Sequence, residues 1–199
     1  MNKSLKECIA ARRTYYSISD NSLLKDEEIE RLVEFALKNV PSAFNSQSTR
    51  IVLLLNEHHK ALWQITKDVL REIVSEKAFS ATENKINGFA KGYGTILFFE
   101  DNDTIERLQK SFPSYASAFP NYSEHTSGMH QFALWMLLED AGFGASLQHY
   151  NPIIDQKVKS KWDLPASWRL IAQMPFGIPT AEPSQKSCEP IENRMKVFK

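Results

Sequence analysis

Residues 128–144 read GMHQFALWMLLEDAGFG, and Met129, Phe132, Ala133, Leu134, Trp135, Met136, Leu137 and Leu138 leave this stretch almost no polar face. A helix that is apolar all round must be buried nearly all round. In a small domain it is either a central helix or one packed against a second subunit, and Gly142 supplies its C-terminal stop. With 199 residues and 42% hydrophobic content the chain is long enough for one domain with a sizeable core. No repeat or low-complexity block divides it, so residues 1–199 are expected to form a single domain.

Around that helix the chain alternates helices and strands. Ser4 and Glu7 form an S-x-x-E capping box ahead of Leu5, Cys8 and Ile9, which predicts a first helix ending near ARRT. Ile29, Leu32, Val33, Ala36, Leu37 and Val40 recur at three-four spacing behind an acidic KDEE start, and Pro41 ends that helix. RIVLLL (50–55) and TILFFE (95–100) are continuous apolar runs, read as strands buried on both faces. RLIAQMPFG (169–177) is a third strand. A helix over 57–79 is expected between the first two, with Leu62, Ile65, Val69, Ile73 and Val74 on one side. Stretches 79–94 and 112–127 lack a clean period and are expected to be covering loops. The tail from Pro179 to Lys199 is too polar for its own core and reads as an arm gripping a partner chain.

Several function classes are excluded. Lys plus Arg equals Asp plus Glu at 24 each, so there is no global basic field for nucleic acid or an anionic membrane. The MNKSLKEC start lacks a signal-peptide core, and no run approaches the roughly 20 apolar residues that span a bilayer; a cytoplasmic protein is expected. Cys8 and Cys188 have no CxxC partner, and the five histidines form no H-E-x-x-H, so no metal site is expected. No G-x-S-x-G elbow, P-loop or G-x-G-x-x-G occurs. What remains is a set of short polar stretches at element ends: ARRTYYS, PSAFNSQS, GASLQHYN and ENRMKVF.

Taken together, in this order and at this spacing, those four stretches resemble the FMN-dependent nitroreductase family over nearly the whole chain. The most similar branch contains the fungal fatty-acid-repression-mutant nitroreductases and the copper-induced nitroreductase of lactic acid bacteria. The resemblance implies an α+β fold, a mostly antiparallel central sheet flanked by helices. It also implies an intertwined homodimer that exchanges the C-terminal arm 179–199 and holds one FMN at each of two interface sites. The phosphate, a dianion, is matched by the guanidinium forks of Arg12 and Arg194, with Thr14 and Arg13 completing its surroundings. Ser42, Asn45 and Gln47 of the other subunit are assigned to the ribityl chain and ring, and main-chain groups of Leu147 and Gln148 to the ring edge. Without the resemblance, Arg12 and Arg13 are also readable as surface charges at a helix end, and Asn45 and Gln47 as turn formers. Trp135 and its neighbours read as core or dimer interface rather than a substrate platform.

The implied activity is hydride transfer from NAD(P)H to nitroaromatics or quinones by a ping-pong route, with no side chain required as acid or base. The sequence departs from the family at Tyr16, where many members carry a lysine beside the flavin N1–O2 edge. Lys85 or Lys91 offers a substitute cation, or a solvated loop charge. The departure keeps a second class open, an FMN-binding dimeric regulatory or flavin-sequestering protein with little turnover.

Overall fold

The computed structural model describes residues 3–199. Its centre is β3 (Gly94–Asp101), every residue of which is buried. It pairs with β2 (Thr49–Leu55) on one side and β5 (Trp168–Pro179) on the other; β1 (Ile18–Ser19) and β4 (Gly144–Ala145) both join β5, and all four ladders are antiparallel. Strand alternation divides the core in two. Ile96 and Phe98, with Ala172, Met174 and Phe176 of β5, face α2 (Asp26–Asn39) and α6 (Phe119–Asp140). Leu97 and Phe99 face the layer of α3 (Asn56–Ile73), α4 (Glu76–Ala90) and α7 (Asp155–Lys161). The expected α+β class and mostly antiparallel sheet flanked by helices are both present. β2, expected to be buried on both faces, is an edge strand whose middle is only half-buried.

Local signals set several boundaries as expected. α1 (Leu5–Ala11) starts on the full Ser4–Glu7 capping box. Three acidic residues open α2, which ends at Val40 before Pro41. Gly142, at φ 83, closes α6: its N–H donates to Glu139 O at 3.1 Å and that of Phe143 to Leu138 O at 2.9 Å.

Three expectations are corrected. The helix over 57–79 is two helices, because Val74 turns extended after α3 and Ser75 caps α4. The loop expected at 79–94 is mostly α4. Its apolar stripe, Phe79, Ile86 and Phe89, is interrupted by Thr82 and Glu83, which hid the helical period. The loop expected at 112–127 is a 3-10 turn (Pro113–Ala118) running into the first turns of α6. There Pro120 occupies the first turn, where it is tolerated. Ser123 Oγ and Thr126 Oγ1 donate back to the carbonyls of Pro120 and Tyr122 at 2.7 and 3.0 Å, so hydroxyls that suggest a loop are absorbed by the helix.

α6 buries Leu134, Met136 and Leu138, yet Met129 is 41% and Phe132 46% exposed. These two line an apolar groove of about 510 Å³ with Phe35 of α2, Val40 just after it and Leu5 of α1. The tail leaves the sheet through Thr180 N–H, which donates to Ser17 O at 3.0 Å. From Ser184 onward every residue is exposed, including Phe198 at 94%. Cys8 is buried and Cys188 exposed. Among the described residues no helix is long and apolar enough to cross a membrane.

Candidate functional site

The segment after α1 and the segment after α6 are laid side by side. Thr14 bridges Ala145 in parallel register, and Tyr15 N–H donates to Ala145 O at 3.0 Å. A side chain at Gly144 would sit 2.8 Å from Tyr15 Cγ and from Pro179 Cγ, so only glycine permits this approach. The segment of Arg12 and Thr14 is thereby laid against the segment that runs on to Leu147 and Gln148 along β5. The Arg12 guanidinium lies over the Trp135 ring, 4.5 Å from its centroid. Arg12 makes no side-chain hydrogen bond among the described residues, so the guanidinium sits over the indole with its donors uncommitted. Trp135 is therefore a support for Arg12, a role its helical spacing did not reveal. Arg13 instead donates to the carbonyl of Ser184, tying the tail to its own chain's first helix end.

Gln148 is committed to structure. Its main-chain N–H and C=O pair with Gln173 at 2.7 and 2.9 Å, and its Nε2 donates to Ser146 Oγ at 3.1 Å. The main-chain N–H of Leu147 makes no such bond among the described residues, so it is the amide of this pair left to meet a ligand. Arg194, in the exposed tail after the Ile191–Asn193 turn, has no side-chain hydrogen bond or ion pair to the rest of the described chain.

Ser42, Asn45 and Gln47 form a second cluster. Phe44, Asn45 and Gln47 take φ of 56°, 51° and 48°, the left-handed region that non-glycine residues avoid. Each costs about 1–3 kcal/mol and persists only where the surroundings over-determine it. Here Ser42 Oγ accepts from Gln47 N–H at 3.0 Å, and Arg50 donates to Gln47 O at 2.7 Å. The side chains of Asn45 and Gln47 remain exposed. The Phe44 ring is turned out onto Phe112, Tyr115 and Phe119 at centroid distances of 4.9, 5.6 and 5.2 Å. Ser42 and Gln47 also border a cavity of about 310 Å³ with Thr49, Arg50, His130 and Trp168. His130 Nδ1 lies 3.0 Å from Thr126 O, a pure acceptor, and so carries the proton; burial holds the imidazole below its ordinary pKa. Among the described residues no hydrogen bond joins this cluster to the Arg12–Leu147 cluster.

Tyr16 is 53% exposed, its ring 6.1 Å from that of Phe89. Lys85 Nζ approaches the same Phe89 ring at 5.8 Å. Of the two lysines at 84–92, Lys85 thus shares a neighbour with Tyr16, while Lys91 is the exposed C-cap of α4. Burial and the nearby Tyr16 push the Tyr150 phenol up to about 12. Among the described residues no three His, Cys, Asp or Glu side chains gather into a metal-binding group.

The chemistry of these donors suits a flavin mononucleotide: an uncommitted guanidinium for a phosphate, an unbonded amide at Leu147 for a ring edge, and an exposed amide pair on a strained turn for polar ring and chain atoms. The Nitroreductase family model matches residues 9–178. HBN1 of Saccharomyces cerevisiae is 36% identical over 96% of this chain and 94% of its own length. The nitroreductase CinD of Lactococcus lactis, solved with nicotinic acid, superposes at a TM-score of 0.91 with 37% identity, covering 98% of this chain and all of CinD. CinD has also been solved with chloramphenicol and 4-nitrophenol. At 14% identity and a TM-score of 0.75, a protein of Exiguobacterium sibiricum solved in complex with FMN shares the fold. Matched by the family model over most of its length and by relatives at 36–37% identity across nearly all of it, the chain belongs to the nitroreductase family.

Proposed function

We propose that the protein is an FMN-dependent oxidoreductase that passes hydride from NAD(P)H to nitroaromatics or quinones in alternating half-reactions, as a cytoplasmic homodimer of one domain (1–199) with the arm 179–199 exchanged between protomers. The observation that carries the reading is the uncommitted Arg12 guanidinium over Trp135, on the segment whose Thr14 bridges Ala145, two residues before the unbonded Leu147 amide. FMN, when bound, supplies the hydride-transferring ring. The chain binds and orients it. Arg12 and Arg194 neutralise the phosphate, with Thr14 as a hydroxyl donor and Arg13 adding charge. Leu147 N–H donates to the ring edge, and Gln148 braces that segment against β5. Ser42, Asn45 and Gln47 reach the ribityl chain and ring of the partner's site. Two observations support assembly from two protomers: no hydrogen bond joins the two clusters among the described residues of one chain, and Met129 and Phe132 expose a large part of their apolar surface at the groove. The aromatic ligands of CinD support a small planar acceptor.

Tyr16 favours a second reading, a flavin-binding regulator with little turnover, since a phenol cannot supply the lysine's charge. Colour decides between them. A dimeric, yellow protein that bleaches anaerobically with NADH or NADPH and regains its colour on adding a quinone or nitroaromatic is the enzyme. A yellow protein inert to both nucleotides is the binding module, and a colourless protein that takes up no added FMN, or a flavin-loaded monomer by light scattering, overturns the proposal.

A further inference from the structure

Glu100 is a completely buried carboxylate outside the site described above, and its two oxygens are both taken. Oε2 accepts from Ser48 Oγ at 2.5 Å and Oε1 from Thr49 Oγ1 at 2.6 Å. A carboxylate is costly to bury, and these hydroxyls offset that cost. They belong to the two residues that follow the strained 44–47 turn. The next residue of β3, Asp101, points to the other face of the strand and takes Arg50 at 2.8 Å. Its N–H donates to Ser48 O at 2.9 Å, and Arg50 in turn holds the Gln47 carbonyl. Consecutive carboxylates of one strand thus grip the root of the turn from opposite faces.

We propose that Glu100 is a positioning residue for the flavin-contacting turn: by clamping Ser48 and Thr49 from the buried face it holds Phe44, Asn45 and Gln47 in their left-handed conformation and sets where Asn45 and Gln47 are presented to the partner's site. The inference rests on the proposed function for the identity of the ligand, but not for the clamp. Glu100 touches neither ligand nor substrate. Glutamine keeps the shape of the side chain while replacing one acceptor with a donor, so the hydroxyl at that end must switch from donating to accepting, and neither bond is any longer assisted by a carboxylate charge. The inner anchor of the turn is weakened.

The experiment compares the full-length wild-type dimer with Glu100→Gln, Ser48→Ala and Thr95→Val. Thr95→Val removes buried hydrogen bonds from the same strand at the far end from the turn and serves as the control. Titrations with FMN and with riboflavin should show Glu100→Gln weakening both by about tenfold and by the same factor, because the turn meets the ring and ribityl chain rather than the phosphate. Amide exchange at Gln47 and Asp101 should accelerate while the β3–β5 ladder stays protected. Thr95→Val should leave both flavin affinities unchanged. If Glu100→Gln does not fold, Ser48→Ala, which deletes one clamped hydroxyl and leaves Thr49 on the carboxylate, is expected to give the same pattern and decides the matter. Unchanged exchange at Gln47 and Asp101, flavin affinities within about twofold of wild type, or an equal loss in Thr95→Val would overturn the proposal. If the wild type binds neither flavin, the proposed function fails, and the exchange measurement alone decides whether Glu100 holds the turn.

Discussion

Thr95, near the start of β3, sustains two buried aromatic side chains with one hydroxyl. Its Oγ1 accepts from Trp63 Nε1 at 3.0 Å and lies 2.8 Å from His59 Nδ1. The indole can only donate and takes one of the hydroxyl's two acceptor sites; the second acceptor site or the hydroxyl proton serves His59 Nδ1, according to the imidazole tautomer. All three residues are at most 1% exposed, and His59 Nε2 finds no hydrogen-bond partner among the described residues. Thr95→Val is nearly isosteric and strands both the indole N–H and the imidazole nitrogen. Leaving a buried polar group unpaired costs about 1–3 kcal/mol, so the variant should lose about 2–5 kcal/mol. For a chain of this size that corresponds to a fall in Tm of about 5–15 °C. Urea unfolding of the full chain at fixed protomer concentration measures it, with an unchanged slope required for the comparison to hold. Thr95→Ser keeps the hydroxyl and loses one methyl, at about 1 kcal/mol. If Thr95→Val stays within about 0.5 kcal/mol of wild type, or if serine costs more than valine, the shared-hydroxyl argument is wrong.

Arg12→Ala and Arg194→Ala should each weaken FMN more than riboflavin in a binding titration, because only FMN carries the dianion; equal losses for both ligands would separate that arginine from the phosphate. Burial lowers the His59 pKa from 6.5 to about 4, so its contribution is present above pH 6.5 and is lost as pH falls toward 4, by about 3 kcal/mol in all. His130 shifts in the same direction, whereas the raised Glu100 carboxyl acts oppositely, stabilising at low pH and losing its contribution as pH rises. Urea midpoints from pH 7 to 4 should therefore fall more steeply for wild type than for His59→Gln, and parallel curves would contradict the assignment. Tyr16→Lys should raise the flavin midpoint potential by tens of millivolts, at about 30 mV per 1.4 kcal/mol for two electrons. If spectroelectrochemistry instead finds no change there and a drop in Lys85→Ala, the compensating charge comes from α4.

Wherever neighbours along the chain decide the outcome, this sequence determined it alone. The Ser4–Glu7 box, the acidic start of α2 with Pro41 behind it, the Gly142 stop and the apolar runs of β3 and β5 depend on hydrogen bonds and periodicities within a few residues, and each appears where its residues require. The order of the four polar stretches, Arg12 through Arg194, likewise needed no coordinates to indicate the family. Only tertiary structure could decide the rest. Whether α4 is helix or loop turned on Ile86 and Phe89 finding a core under Trp63, because the intervening Thr82 and Glu83 weaken its periodic signal. The serines and threonines at the start of α6 are ambiguous until their hydroxyls have carbonyls to meet. Trp135 became the support for Arg12, and Glu100 the clamp on Ser48 and Thr49, through contacts between residues 123 and 51 or 52 positions apart. Such pairings leave no period or spacing in a single chain, because they exist only once antiparallel strands and packed helices have brought distant segments together.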